Sequence, residues 1–385
     1  MKKHTELSKE QYALSEAETV SPQDVTVFTY YKYWLLSKIS FGKTRREYAA
    51  KGKLIKHLLQ ITGKIPSCGL SEESLKKLIA AIKRYYVARG RKVNWISNDE
   101  LEYLASEGQR QDFESLLFGR LNGDRRTVVP WLDSIRPLKG ATVLEVGCGT
   151  GCSTVALGEK GAKVIGIDVS EESIELAKER CAIHGIKDVE FKLIGAAQMG
   201  DAFDKNQFDH VIFFASMEHM THRERVQAIQ TAYELIRDNG IVSVVECPNR
   251  LWFKDTHTSF TPFFHWLSDE CAMDYAKFTP RESHVSDFKN NTDSSPLEFA
   301  RLGRGVSFHE FVIALGGMEN VKVVSHMQAF LDRKLIRRLA RKALIVVRTL
   351  LGNQIYKYQR LLMKVGPNGI HEGFYEENLD IALKK

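Results

Sequence analysis

Cysteine is scarce and scattered in this sequence. The six residues, Cys68, Cys148, Cys152, Cys181, Cys247 and Cys271, form no CxxC pair, and most stand among apolar neighbours. A disulfide framework is therefore excluded, and the thiols read as reduced in a cytoplasmic setting. No HExxH or other metal-ligand spacing occurs, so no metal is expected. No stretch reaches the roughly 18 uninterrupted apolar residues of a membrane span. The opening MKKHTELSKEQY lacks the apolar run of a secretory signal. Internal repeats and low-complexity tracts are missing as well. What is present is a chain of 385 residues, 43% hydrophobic and 27% charged, the balance of a soluble globular protein. That length exceeds one ordinary core, so a central domain with large helical additions is expected.

The net charge of +7 is unevenly distributed. Residues 1–140 carry 25 basic against 16 acidic side chains, residues 141–330 carry 18 against 27, and residues 331–385 carry 12 against 5. An acidic centre with two basic flanks is a statement about partners rather than fold.

The flanks read as helical. SLKKLIAAIKRYYVAR (74–89) places Leu75, Leu78, Ile79, Ile82 and Tyr86 on one helical face. YYKYWLLSKI (30–39) is aromatic-rich and reads as core packing. At residue 141 the pattern changes. ATVLEVG, AKVIGIDVS, VEFKLIG, FDHVIFFAS and IVSVVECPN are strand-like and alternate with helical segments. In one of these helices Ser170 is a plausible N-cap, with Glu171 and Glu172 in the first turn. Another, ERVQAIQTAYELIRDNG, is expected to end at its glycine. Such alternation predicts a parallel, doubly wound sheet. The four expected regions are an N-terminal helical region (1–138), a core (139–330) with an insertion at 250–305, a basic helical insertion (331–372) and a terminal strand (373–385).

VLEVGCGTGCSTV (143–155) joins the first strand to a helix through alternate glycines. Backbone N–H groups and a helix dipole converge there, and glycine removes the Cβ that would keep a ligand away. Asp168 ends the next strand, where a carboxylate can accept ribose hydroxyl protons. Dinucleotides and S-adenosylmethionine both suit this arrangement. The dinucleotide spacing GxGxxG wants glycine at position 152, where Cys152 stands. Glu145 would oppose a pyrophosphate but tolerate a cationic sulfonium ligand with an α-ammonium group, contacted through water.

Residues 143–247 resemble the class I S-adenosylmethionine-dependent methyltransferases, most of all the branch with quinone-biosynthesis and polyketide-type O-methyltransferases. VLEVGCGTG and GIDVS match the first two motifs. FDHVIFFASMEHM and IRDNGIVSVVECPNR match the fourth- and fifth-strand patterns, and ENLDIALKK resembles the terminal strand. The resemblance implies an α/β, Rossmann-like methyltransferase sheet with an N-terminal helical region and helical insertions. It implies S-adenosyl-L-methionine as cofactor, with Gly147, Gly149 and Gly151 under its methionine part, Asp168 on the ribose and Phe214 lining the pocket. The family usually has an acidic residue after strand three for the adenine amino group. Ala196 stands there instead, leaving the backbone N–H of Ala197 to reach the ring.

Methyl transfer needs alignment of nucleophile and methyl, and a hydroxyl nucleophile benefits from a base. The candidates follow strand five in PNRLWFKDTHTSFTPFFHW (248–266): His257, His265 and Asp255. His219, in the EHM pattern, reads as structural. The aromatics Trp252, Phe253, Phe260, Phe263, Phe264 and Trp266 would bury the insertion or line an acceptor pocket. Arg250, Asp255, Thr256 and Thr258 among them would read sugar hydroxyls. The leading expectation is O-methylation of a glycan or glycolipid. The alternatives are a small aromatic or isoprenoid, quinol-like acceptor, and a catalytically silent cofactor-binding protein. Nucleic acid is not expected as a partner, because no stacking-plus-basic module is recognisable. DRKLIRRLARKALIVVRTLL (332–351) pairs a cationic face with an aliphatic one, which suits peripheral contact with an anionic membrane surface or packing on protein, including a second subunit. Localisation is expected to be cytoplasmic, at most peripheral on the inner membrane.

Overall fold

The computed structural model describes residues 70–89, 115–280, 299–333, 354–366 and 369–385, together with 339 and 343. The chain divides into two compact units, residues 1–75 and 76–385. The aromatic stretch 30–39 and nearly all of the basic segment 332–351 lie outside the described residues, and with them the membrane expectation.

The second unit is built on one seven-stranded sheet in the order β3-β2-β1-β4-β5-β7-β6. Its strands are β1 (Thr142–Val146), β2 (Lys163–Asp168), β3 (Val189–Leu193), β4 (Phe208–Phe214), β5 (Ile236–Pro248), β6 (Val323–His326) and β7 (Asn378–Lys384). The first five are parallel, whereas β7 runs antiparallel to both β5 and β6. The first five follow the doubly wound order, whose direction of winding reverses between β1 and β4. The terminal strand enters between β5 and β6.

Burial explains why these segments are strands. In β1, Val143 packs into one hydrophobic cluster, whereas Leu144 and Val146 pack into the other. In β4, Ile212 likewise faces away from Val211 and Phe213. A two-residue period with both faces buried is what a central parallel strand requires.

The described helices are α1 (Glu72–Ala88), α2 (Val129–Ile135), α3 (Cys152–Glu159), α4 (Glu171–Ile183), α5 (His222–Leu235), α6 (Asp269–Ala276), α7 (Phe308–Leu315) and α8 (Gln354–Val365), beside shorter turns. On α1, Leu78, Ile79, Ile82 and Tyr86 are buried as the periodicity requires. Its Arg84 pairs with Glu179 of α4 at 2.5 Å, in an exposed setting. Ser170 caps α4, accepting from the Ser173 N–H at 3.1 Å. Helix α5 opens on a reciprocal Thr221–Glu224 cap but ends at Leu235, well before Gly240. The chain becomes extended at once because Ile236 pairs with Phe208 across the sheet. A bulge follows before the pairing resumes at Ile241, and Asn239 within it has φ +61°. Pairing with β4 overrides the expected glycine stop.

Candidate functional site

Ligands of doubly wound sheets sit beyond the carboxyl ends of the strands, at the reversal. Here the turn after β1, the end of β2, the turn after β4 and a strap (249–266) after β5 meet at that edge.

The glycine turn is held from below. Glu145 is fully buried and accepts from the hydroxyls of Ser153 and Thr154 in the first turn of α3. Burial lifts its carboxyl to about 7, against the pull of those two hydrogen bonds. Each oxygen takes one of these bonds, so Glu145 braces the turn from below. Arg180, also buried, donates from Nε to the Thr150 carbonyl at 2.7 Å.

The three glycines do different things. Gly147 (φ +81°) lies so close to the β4 turn that a Cβ would stand 2.4 Å from Ser216 Cβ. At Gly151 (φ +78°) a Cβ would meet the Ala177 backbone of α4 at 2.9 Å. At Gly149 (φ +48°) a Cβ would meet nothing within 4 Å. The turn is therefore packed at its two ends and open at its middle, as a ligand cradle must be. Asp168 accepts from the N–H of Gly149 at 2.9 Å and of Ser170 at 2.9 Å, and its half-buried carboxylate faces this opening. The Ser216 hydroxyl, beside Gly147, is buried and has no hydrogen-bond partner among the described residues. Phe214 is half-buried at the end of β4, and Ala197 is exposed in the short turn after β3. The Gln198 side chain accepts from the Gly195 N–H at 2.8 Å. An orphaned hydroxyl, an open glycine and an end-of-strand carboxylate together fit a nucleoside with a charged amino-acid tail.

The strap is organised by side chains. Asn249, buried, donates to the carbonyls of Phe374 and Glu376 at 2.7 Å each, pinning the strap to the terminal segment. Asp255, also buried, accepts from the N–H groups of His257 (2.8 Å), Thr258 (2.9 Å) and Ser259, and from the Ser259 hydroxyl (2.9 Å). Burial opposes its charge, but His265 and these donors hold its pKa well below the usual carboxylate range. His265 is 2% exposed. Its Nδ1 accepts from the Gly305 N–H at 3.0 Å, so the proton sits on Nε2, 3.3 Å from Asp255. Burial lowers its pKa despite that carboxylate. The Nδ1 of His265 is thus engaged by Gly305, and its buried Nε2 lies against the Asp255 carboxylate. Asp255 and His265 stand under the loop, and of the three catalytic candidates only His257 has a half-exposed ring.

His257 points to a group that motif reading had left aside. Its Nε2 is 3.6 Å from Oε1 of Glu218, in the turn after β4. Glu218 is fully buried, with its Oε2 accepting from the Cys247 thiol at 3.2 Å. Burial raises its pKa, opposed chiefly by His219. Glu218, His219 and His257 form a group able to hold a metal ion. No sequence spacing announced it, because the ligands come from two separate turns. The one available signal was an acid beside His219 at the end of a buried strand. Gly303 (φ +122°) lets the chain pass, since a Cβ there would stand 2.9 Å from His257 Nδ1.

Non-glycine residues with positive φ gather at this same edge: Ala215, Glu246, Phe260 and Phe263. Strained backbone is retained where the surroundings fix it, commonly at functional sites. The strap aromatics divide. Trp252 and Phe264 are buried, whereas Phe260, Phe263 and Trp266 are 39%, 46% and 49% exposed. Phe263 and Trp266 pack at 4.8 Å, and Phe253 lies 4.9 Å from Tyr358 of α8. A cavity of about 270 Å³ opens beside the β4 turn, with Met220, Arg250 and Asp269 among its walls.

A methyltransferase-domain family matches residues 143–240. The chain is 27% identical over 176 residues to a ubiquinone biosynthesis O-methyltransferase of Neisseria meningitidis, covering 45% of this chain and 66% of that one. It is 33% identical over 114 residues to the protein of the same name from Pseudomonas paraeruginosa, covering 30% and 47%. The chain thus spans less than two thirds of these relatives' own length. Among solved structures it is similar to a Haemonchus contortus phosphoethanolamine N-methyltransferase complexed with phosphoethanolamine and S-adenosylhomocysteine, at 21% identity and a TM-score of 0.30, over 44% of this chain and 32% of that one. Among the described residues no helix is long and apolar enough to cross a membrane.

Proposed function

We propose that this chain, whose residues 143–240 form a class I S-adenosylmethionine-dependent methyltransferase domain, transfers a methyl group to a hydroxyl of a small aromatic, quinol-like acceptor. The observation that carries the reading is the shared edge: an open glycine cradle with Asp168 on one side of the crevice, and His257 with Glu218 on the other. S-adenosylmethionine supplies an already activated methyl. Gly149 gives its amino-acid end room, between Gly147 and Gly151 that let the turn pack closely on either side, Asp168 accepts from the ribose, the Ala197 N–H and Phe214 meet the adenine side, and Glu145 braces the turn.

His257 is the side chain that meets the acceptor hydroxyl and assists loss of its proton. Asp255 and His265 position it by fixing the strap. The exposed Phe263 and Trp266 offer a stacking surface for an aromatic ring. The names of the relatives support an O-methylated, quinol-type acceptor. A glycan acceptor has less support, because three of the four polar strap residues that would read sugar hydroxyls are already engaged, which leaves Arg250 in the cavity wall. Asp255 serves backbone N–H groups, Thr258 donates to Gly303, and Thr256 donates to Glu377.

Calorimetry of the full chain with S-adenosylmethionine, and transfer of a labelled methyl to a catechol, test the proposal. Binding and transfer are expected, and His257→Ala should lower turnover about 10²–10⁴-fold with cofactor affinity unchanged. Near-normal turnover in that variant removes His257 from the chemistry. Absence of cofactor binding ends the reading altogether.

A further inference from the structure

The turn after β4 and the strap juxtapose three metal-ligating side chains. Glu218, His219 and His257 each offer one ligand atom, and these atoms all lie within 4.8 Å of one another. Hydrogen bonds behind the two imidazoles decide which nitrogen faces the group. His219 Nδ1 stands 2.8 Å from the Arg301 carbonyl oxygen, which can only accept, so Nδ1 carries the proton. His257 Nδ1 stands 3.0 Å from Thr258 Oγ1, whose own hydrogen goes to the Gly303 carbonyl at 2.9 Å. That oxygen can only accept from His257, so Nδ1 is again the protonated nitrogen. The Nε2 lone pairs then turn toward Glu218 Oε1, at 3.9 Å from His219 and 3.6 Å from His257. Metal-binding histidines are oriented in this way, with the remote N–H tied to a carbonyl or hydroxyl.

Glu218 completes the set. Its Oε1 is buried and has no hydrogen-bond partner among the described residues. The neighbouring Arg225 does not serve it, because that guanidinium donates to the carbonyls of Met217, Gly305, Glu218 and Arg304 and to the Glu310 carboxylate. A carboxylate oxygen enclosed without a donor is costly unless a cation meets it. Two ligand atoms about 2.1 Å from a shared ion stand about 3.4 Å apart at a tetrahedral angle. The two separations from Glu218 Oε1, 3.6 and 3.9 Å, are wider than this by a few tenths of an ångström, and all three ligand atoms lie within 4.8 Å of one another.

We propose that Glu218, His219 and His257 bind one divalent first-row transition cation at the mouth of the crevice. Two imidazoles and one carboxylate favour zinc, cobalt, iron(II) or manganese over magnesium or calcium. Three protein ligands leave coordination positions for an acceptor oxygen. With the cation bound, His257 assists the acceptor hydroxyl as a ligand and not as a base: the proton leaves to water more readily, since the cation stabilises the anion. The O–CH₃ bond then forms as the S–CH₃ bond breaks, with the electron pair leaving on sulfur. This catalytic role rests on the methyltransferase reading, whereas the binding of the cation does not.

The test is cobalt(II) titration of chelator-treated, full-length protein, followed by visible absorption and calorimetry. One equivalent is expected to bind. Glu218→Gln, His219→Gln and His257→Gln should each weaken binding by more than about tenfold, while His309→Gln, at an exposed position, should not. Every variant is also titrated with S-adenosylmethionine, and retained affinity shows that it has folded. For any variant that does not fold, pulsed EPR of the copper(II)-loaded wild type should show two imidazole nitrogens, and fewer than two overturns the site. Failure of the wild type to bind cobalt stoichiometrically also overturns it, as does undiminished binding in a folded Glu218→Gln or His257→Gln variant. Cobalt binding without cofactor binding would leave the metal site standing and remove the methyltransferase reading.

Discussion

The turn after β1 and the strap after β5 flank one crevice but are made of different material. The turn is backbone: three glycines at positive φ, a helix N-terminus and one carboxylate at the end of β2. The strap is side chain: Asn249, Thr258 and His265 bind main-chain groups far along the sequence, Asp255 gathers the N–H groups two to four residues ahead of it, and Arg304 donates to the carbonyls of Phe264 (2.7 Å) and Leu267 (2.5 Å). A backbone cradle constrains residue type at fixed local spacing. A side-chain network constrains only that partners arrive together. The two should accordingly fail in different ways.

Asp255→Ala should have the largest effect. It strips acceptors from three buried N–H groups and a hydroxyl at once, at a cost of about 3–5 kcal/mol. The thermal midpoint and methyl-transfer turnover should fall together, while cofactor affinity at native temperature stays within about twofold, because the turn shares none of those bonds. A parallel loss of cofactor affinity would mean that the turn and strap are one unit.

The glycines come next and divide between themselves. Gly147→Ala should destabilise the chain by about 2–3 kcal/mol, since it combines a left-handed backbone with a collision against Ser216. Gly149→Ala should cost only about 1 kcal/mol of stability, because its methyl enters open space. It should nevertheless lose most of the cofactor affinity, because that space is where the ligand approaches. Denaturation midpoints and cofactor calorimetry on the pair separate fold from function. Equal cofactor affinity for wild type and Gly149→Ala would show that the cradle faces elsewhere.

This division also explains what could be read from the chain. The doubly wound sheet followed from strand-like runs alternating with helical ones, and the N-cap at Ser170 from a local hydroxyl. The end of α5 did not follow, because pairing of Ile236 with Phe208 is decided across the sheet. At the site, Gly149 and Asp168 were legible as types at local spacing. The burial of Asp255 and His265 was not, since the same residues in an exposed loop would form the same string. Glu218 and Asn249 were missed for that reason too. Their partners arrive from His257 and from residues 374–376, brought near only by the completed fold.

Asp168→Ala tests the cradle without touching the strap. Loss of a charge-assisted acceptor should weaken cofactor binding by about 2 kcal/mol, or roughly thirtyfold. Turnover at saturating cofactor should change far less. A fall in turnover that saturating cofactor does not restore would place Asp168 in the acceptor chemistry and blur the contrast.

The smallest effect is expected at the opposite edge of the sheet, where neither region reaches. Asp209, at the start of β4, accepts from the Thr142 N–H (2.9 Å) and pairs with Arg136 (2.5 Å) and Arg237 (2.9 Å). Burial pushes its carboxyl up, but the Thr142 hydrogen bond and the two guanidinium groups outweigh that and hold it below the ordinary value. A carboxyl whose folded pKa is depressed contributes stability above its unfolded pKa, about 3.9, and loses it as the pH falls through the folded value. The two arginine side chains are 30% and 46% exposed, so solvent screens much of the attraction. A contribution of about 1 kcal/mol is therefore expected at neutral pH. Asp209→Asn should lower the denaturation midpoint slightly at pH 7, and its difference from wild type should shrink steadily below about pH 4. Cofactor affinity should match wild type throughout. A constant difference down to pH 2 would assign the loss to the Thr142 hydrogen bond and not to the charge.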